Sequence, residues 1–265
     1  MSTSSSPLFF PVIVTRLRAS GCVFAEDEAQ LLIAAARTPE ELAAMVHRRI
    51  IGLPLEQVVG WAEFCGQRIA VEPGVFVPRR RTEFLAGQAA ALARPGAVVV
   101  DLCCGSGAVG AALMASVDGV ELYAADIDPA AVRCARRNIA GGGQVYEGDL
   151  YDPLPATLRG RIDVLVANAP YVPTGEIGLL PVEAREHEPR VALDGGSDGL
   201  DIQRRVTAAA PLWLAPGGHL LIETSERQAP QTAEAFARNG LIPHITSCDD
   251  LYATVVIGTR PALRS

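Results

Sequence analysis

The chain has 265 residues, 49% hydrophobic and 20% charged, which is enough for one large α/β domain with a small appendage. A net charge of −7 gives no general attraction for nucleic acid, and no stretch approaches the roughly 20 apolar residues of a membrane span. Six cysteines (Cys22, Cys65, Cys103, Cys104, Cys134, Cys248) form no Cys-x-x-Cys pair and the four histidines are scattered, so the expectation is free thiols and no metal. The apolar run Leu8–Val14 is short, broken by Pro11 and preceded by no basic residue. It does not read as a signal peptide, and the expected compartment is the cytoplasm.

Beyond a serine-rich start that reads as unstructured, the first fifty or so residues read as short helices. One spans about Glu26–Arg37. The next opens on Thr38-Pro39-Glu40-Glu41, a capping box with proline at the first helical position, and Gly52 ends it. Residues 66–78 change to alternating period: Ile69 and Val71, a type II turn at Glu72-Pro73-Gly74-Val75, then Val75 and Val77, which predicts a β-hairpin between two domains. From about Arg81 strands alternate with helices. The strands are Ala97–Leu102, Val120–Ile127, Gln144–Gly148, Ile162–Ala167, Gly218–Thr224, Leu241–Thr246 and Ala253–Thr259. The clearest helices are Pro129–Ile139, capped by Asp128, and Gln228–Arg238. The last two strands are joined by a short turn and should pair antiparallel. The pattern predicts an α/β fold of the class I methyltransferase type, with a Rossmann-like, seven-stranded, mostly parallel sheet and a small N-terminal helical domain.

Asp101-Leu102-Cys103-Cys104-Gly105-Ser106-Gly107-Ala108-Val109-Gly110 closes the first of these strands with G-x-G-x-x-G spacing, and Asp126 ends the second strand. Alone this says only that an adenosine-containing cofactor binds. Three details favour S-adenosylmethionine over a dinucleotide. Asp101 sets a carboxylate where an ammonium can sit and a pyrophosphate is repelled. Asp149 offers one to an adenine amino group, and the fourth strand ends in an acceptor motif. The candidate cofactor residues are Asp101, Cys103, Gly105, Gly107, Asp126, Ile127, Asp149, Leu150 and Asn168.

That acceptor motif is Asn168-Ala169-Pro170-Tyr171, the candidate catalytic turn. A planar amide or aromatic amine needs two acceptors for its NH₂ group and a flat face. The Asn168 side-chain oxygen, the Ala169 carbonyl and the Tyr171 ring supply these. The sulfonium methyl is already activated, so no separate strong base is invoked.

Asn168-Ala169-Pro170-Tyr171 resembles the Asn-Pro-Pro-Tyr motif of amino-methyltransferases, and the surrounding sequence is similar to the HemK-type protein-glutamine N5-methyltransferases. The similar stretches include Val75–Arg79, Asp101–Gly107, Gly148–Leu154, Glu188–Gly196 and Gly199–Asp201. The resemblance implies methyl transfer from S-adenosylmethionine to the glutamine of the Gly-Gly-Gln loop of a peptide chain release factor. It also implies a helical domain over residues 1–60 that grips the protein substrate, a hairpin linker over 61–80 and a catalytic domain over 81–265. Two departures stand out: Ala169 replaces a proline, and Arg80 and Arg81 replace a proline and a glutamate. The Arg79–Arg81 cluster reads either as a solvated run or as a contact for an acidic or phosphate-bearing partner. Methylation of another protein amide or of an exocyclic amine in nucleic acid, a non-catalytic S-adenosylmethionine-binding role and, more remotely, a nicotinamide oxidoreductase stay open.

Overall fold

The computed structural model describes residues 9–262; the serine-rich start lies outside the described residues. Four helices come first: α1 (Phe9–Ala19), α2 (Ala25–Ala35), α3 (Pro39–Ile50) and the short α4 (Leu55–Val59). Pro11 falls in the first turn of α1, where a missing N–H removes no intrahelical bond. Thr38 caps α3, its hydroxyl accepting from the Glu41 N–H at 3.1 Å. The Glu41 carboxylate reaches one residue further back than a capping box requires, to the Arg37 N–H at 2.8 Å. Ile13, Leu17, Leu32, Met45, Val46 and Val58 form a core of their own.

Arg49 fastens this unit to the rest of the chain. Its guanidinium is buried and donates to Glu28 at 2.6 and 3.1 Å, to the Leu53 carbonyl at 3.1 Å and to Glu183 at 2.6 Å. Glu183 belongs to α8 (Val182–His187), far along the sequence, and lines the same cleft as Asn168–Tyr171.

The hairpin lies earlier than its sequence suggests. Its strands are β1 (Trp61–Phe64) and β2 (Gln67–Ala70), turned by Cys65 and Gly66, both at positive φ. The turn at Glu72–Val75 does form, the Val75 N–H donating to the Glu72 carbonyl at 3.1 Å. Val75 and Val77 nevertheless join no strand: they are buried, and burial accounts for their apolar alternation. Asn138 fixes β2 in place by accepting from the Ala70 N–H at 2.9 Å and donating to the Ala70 carbonyl at 3.0 Å.

The main sheet contains β3 (Val98–Leu102), β4 (Glu121–Asp126), β5 (Gln144–Glu147), β6 (Ile162–Ala167), β7 (Leu214–Thr224), β8 (Ile242–Cys248) and β9 (Ala253–Thr259), in the order β5-β4-β3-β6-β7-β9-β8. The five strands β3 to β7 run parallel, and β9 is antiparallel to both β7 and β8. Strand β7 starts at Leu214, earlier than expected, with a register shift opposite Ile162–Val164. Helices α5 (Thr82–Leu92), α6 (Ala108–Ser116), α7 (Pro129–Asn138), α9 (Asp201–Trp213) and α10 (Ala229–Arg238) cover its faces. Alternate residues of β3 serve opposite cores, Val99 on one side and Val98, Val100 and Leu102 on the other. No helix of the described residues is long and apolar enough to cross a membrane.

Replacing Arg49 by Ala leaves Glu28 buried without a counter-ion. The expected cost is about 3–5 kcal/mol, read as a lower denaturation midpoint, with a smaller loss in Arg49→Lys.

Candidate active site

Leu102 pairs with Ala125 on one side and Ala167 on the other, so β3, β4 and β6 end level with one another. The residues that follow therefore emerge along one rim, at the carboxyl ends of parallel strands. A cleft of about 470 Å³ lies above this rim. Asp101, Cys103, Gly105, Asp126, Ile127, Asp149, Leu150, Asn168, Ala169, Pro170 and Tyr171 all line it. Gly107 lies between Ser106 and Ala108, which line it as well. Gly107 opens α6 at φ +77°, and a Cβ there would meet Ile139 at 2.9 Å and Ala135 at 3.0 Å, so this glycine serves the packing of α6 on α7.

The carboxylates on the rim are buried to different extents. Asp101 is 2% exposed and its Oδ2 accepts the Gly110 N–H at 3.0 Å. Burial raises its pKa to about 7, a lesser rise coming from Asp126. Asp126 holds the glycine loop, accepting from the Gly105 N–H at 2.8 Å and the Asp128 N–H at 2.9 Å, and burial raises its pKa too. Asp149 is ion-paired with Arg205 of α9 at 2.6 Å, a partner the sequence did not announce. Cys103 and Leu150 both take positive φ as the chain turns at the strand ends. Burial pushes the Cys103 and Cys104 thiols well up, away from reactivity.

At the acceptor end, Asn168 donates through Nδ2 to the Thr82 hydroxyl at 3.3 Å. Ala169 is 1% exposed and Pro170 is buried, whereas Tyr171 keeps part of its ring accessible. The Tyr171 hydroxyl donates to Glu223 at 3.5 Å; burial, then the Glu223 charge, pushes its pKa up to about 12. Residues 193–199 brace this turn. The Val172 N–H donates to the Leu193 carbonyl at 3.0 Å and the Gly195 N–H to the Val172 carbonyl at 2.9 Å. A Cβ on Gly195 would lie 2.7 Å from the Pro170 carbonyl oxygen, so no larger residue fits. The Tyr171 carbonyl accepts from Gln228 at 3.0 Å.

The Arg79–Arg81 cluster is solvated only in part. Arg79 donates to Glu188 at 2.5 Å and stacks on Phe76, while Arg81 donates through Nε to Glu223 at 3.2 Å, 5.7 Å from the Tyr171 ring. Arg80 and Arg81 both stay exposed. The Glu188 side chain is fully buried and also accepts from the Val77 N–H at 3.1 Å, which ties the segment after the hairpin across the cleft. Sequence reasoning missed Thr82, Glu223 and Arg205. Glu223 did carry a signal, being a carboxylate at the end of the apolar run Leu220-Leu221-Ile222 as Asp101 is after Val98-Val99-Val100. Thr82 and Arg205 carried none.

The residues present suit the expected cofactor. A Cβ built on Gly105 meets nothing within 4 Å on the cleft side of the loop, and Asp101, buried and raised toward 7, is the kind of carboxylate a cation stabilises. Among the described residues no group of His, Cys, Asp and Glu gathers as a metal site. A seven-stranded sheet of this order, with its rim of carboxylates and an Asn-Ala-Pro-Tyr turn, defines a class I methyltransferase that uses S-adenosylmethionine as methyl donor.

Known proteins agree. The family model "Methyltransferase small domain" matches residues 67–180. A release factor glutamine methyltransferase from Geobacter sulfurreducens is 39% identical, the match covering 84% of this chain and 79% of the relative. A 4-amino-L-phenylalanine/4-methylamino-L-phenylalanine methyltransferase from Streptomyces pristinaespiralis is 36% identical over 91% of this chain and 85% of its own length. Among solved structures, a Pyrococcus furiosus methyltransferase superposes with TM-score 0.56 at 15% identity, over 84% of this chain and 100% of its own, which bears on the fold. The chain belongs to the release factor glutamine methyltransferase family.

Removing the Glu188 carboxylate by Glu188→Ala strands Arg79 and the Val77 N–H. A loss of about 2–4 kcal/mol is expected, together with faster hydrogen exchange at the Val77 amide.

Proposed function

We propose that this methyltransferase acts on the side-chain amide nitrogen of a protein glutamine, in the Gly-Gly-Gln loop of a peptide chain release factor, in the cytoplasm. The observation that carries the proposal is the Asn168–Thr82 hydrogen bond. It engages the Nδ2 end of the Asn168 amide, so the acceptor oxygen Oδ1 is the end left for the cleft that Asn168 lines. Two of the curated relatives bear release factor glutamine methyltransferase names at 38–39% identity, which supports the same substrate class.

In this reading Asn168 Oδ1 and the Ala169 carbonyl accept the two N–H bonds of the amide, while the Tyr171 ring and Pro170 flank its plane. Holding both N–H bonds orients the nitrogen for in-line attack and draws proton density from it, so the amide becomes a better nucleophile. When bound, S-adenosylmethionine supplies an electrophilic sulfonium methyl. Asp101 would face its ammonium, Asp126 its ribose hydroxyls and Asp149 its adenine amino group. Cys103, Gly105, Ile127 and Leu150 would form the walls around it. Residues 1–60 would help grip the protein substrate, residues 61–80 would act as the linker and residues 81–265 as the catalytic domain.

A second reading, methylation of a free aromatic amino acid at its ring amine, is favoured by the Streptomyces pristinaespiralis relative, whose match spans more of this chain than the Geobacter one. An aniline NH₂ is planar and offers the same two N–H bonds. The exocyclic-amine alternative in nucleic acid is disfavoured, because Arg79 and Arg81 are ion-paired to Glu188 and Glu223 and, among the described residues, leave Arg80 as the one unpaired charge of the three.

Purified protein incubated with S-adenosylmethionine and a release factor should place one methyl on the Gly-Gly-Gln glutamine, seen by tandem mass spectrometry and lost in Asn168→Ala. Transfer to 4-amino-L-phenylalanine instead would establish the second reading.

Cofactor affinity should also depend on pH. The ammonium pairs with ionised Asp101, whose pKa lies near 7 in the free protein. Affinity therefore rises as pH climbs from 6 toward 7 and turns over as the ligand's own α-ammonium, with a pKa of about 8, loses its proton. Titration calorimetry should find this slope in the wild type and a weaker profile without the rise in Asp101→Asn.

A further inference from the structure

A second cavity, of about 420 Å³, adjoins the acceptor turn, and the chemistry above gives it no task. Arg81 and Tyr171 stand in the wall of both cavities. The rest of its wall comes from the end of β7 with the residues after it, Glu223 and Glu226 among them, and from the loop joining β8 to β9, which supplies Asp249 and Tyr252. Glu223 is 1% exposed, and its two oxygens have different surroundings. Oε1 accepts from Arg81 Nε at 3.2 Å and from the Tyr171 hydroxyl at 3.5 Å. Oε2 is buried with no hydrogen-bond partner. A buried carboxylate oxygen without a donor is costly, and a donor entering the cavity whose wall Glu223 forms would remove that cost.

The charge of the wall says what kind of donor. Glu223, Glu226 and Asp249 bring three carboxylates against the one guanidinium of Arg81, a net charge of −2 (1 − 3) when all are ionised. Among the described residues only Glu223 of the three is ion-paired, to Arg81, and Glu226 and Asp249 stand exposed. An anion would be repelled here and a cation drawn in. Tyr171 and Tyr252, the latter 91% exposed, add ring faces that attract a cation. A metal ion does not fit, because no group of three His, Cys, Asp or Glu among the described residues gathers as a metal site. Carboxylates set apart around a cavity with aromatic rings suit a more extended cation, a guanidinium or ammonium on a carbon stem.

We propose that this second cavity is a subsite for an organic cation, a guanidinium or ammonium group, carried by the acceptor substrate. The proposal rests on the reading of Asn168–Tyr171 as the acceptor turn. A substrate whose NH₂ group lies against Asn168 and Ala169 reaches the second cavity past Arg81 and Tyr171, the residues that both cavities share. On a protein acceptor the cation is a lysine or arginine side chain close in sequence to the glutamine. On a free aromatic amino acid it is the α-ammonium. Glu223 Oε2 accepts one of its N–H bonds, and Glu226 and Asp249 balance its charge. Arg81 occupies Oε1 and so leaves Oε2 to the ligand. A glutamate at position 81 would instead add a fourth carboxylate and oppose the ionisation of Glu223.

Acetyl-arginine amide and its uncharged isostere acetyl-citrulline amide, titrated into isotope-labelled protein and followed by NMR, test the subsite without any methyl transfer. The arginine probe should shift the Glu226, Asp249 and Tyr252 amides and bind about tenfold tighter than the citrulline probe, the worth of a charge-assisted hydrogen bond. That preference should weaken in Glu223→Gln and vanish in the double variant Glu226→Gln/Asp249→Asn, whose positions are both exposed. Turnover then identifies the source of the cation. Neutralising one basic residue near the Gly-Gly-Gln glutamine of a release factor should raise KM about tenfold with kcat within about twofold, in the wild type but not in the double variant. If the acceptor is 4-amino-L-phenylalanine, the same change in KM should follow removal of its α-amino group. Equal binding of the two probes, magnesium chloride shifting the same amides as strongly as the arginine probe, or a KM indifferent to every such change would overturn the subsite. A protein that prefers the arginine probe as described, yet methylates neither acceptor, would instead sink the reading of the acceptor turn and leave the cation site standing.

Discussion

Everything in this site depends on the level, in-step ending of three parallel strands. Asp101 pairs with Ala124 and Val166, and Leu102 with Ala125 and Ala167. Parallel ladders hold their strands in fixed stagger, and here both faces of β3 are buried, so a slip by one residue would drive Val99 and Leu102 into the wrong cores and mispack both. That constraint delivers Cys103, Asp126 and Asn168 to one rim. The glycine loop, Asp126 and the Asn168–Tyr171 turn need no further device to meet.

What the rim then requires is the management of buried charge. Asp101, Asp126, Glu188 and Glu223 all lie where water is scarce, and burial raises the pKa of each. Asp126 is compensated by backbone N–H groups, Glu188 by Arg79 and Val77, and Glu223 by Arg81 and Tyr171. Asp101 receives the Gly110 N–H and, among the described residues, forms no ion pair, which leaves its charge open to a cationic ligand. Compensated carboxylates stiffen the site; the uncompensated one is where binding energy is available.

The two departures from the family differ in consequence. Ala169 gives up a ring at a fully buried position, but Pro170 still restrains it toward extended geometry and the 193–199 segment and Gln228 still clamp the turn. Arg81 changes the electrostatics behind the turn, since it sits between Glu223 and the Tyr171 ring. The helical unit, held by Arg49 to Glu183, is fixed close to that same end of the cleft.

Much of this was legible in the chain itself. Alternating and continuous apolar runs set β3, β6 and β9 to within a residue, and the Thr38 and Asp128 caps set α3 and α7, because strand burial and helix capping are decided by near neighbours. Asp101, Asp126 and Asn168 were visible as polar residues stopping apolar strands. The hairpin was misplaced because Val75 and Val77 alternate as a strand does, yet pack without pairing. Spacing places Gly107 in the loop, but not the close approach of Ala135 and Ile139 that also requires a glycine there. The Arg79–Glu188, Arg81–Glu223 and Arg205–Asp149 pairs and the Asn168–Thr82 hydrogen bond join residues 56 to 142 positions apart. No local pattern encodes such partners; they exist only once the sheet has brought the ends of its strands together.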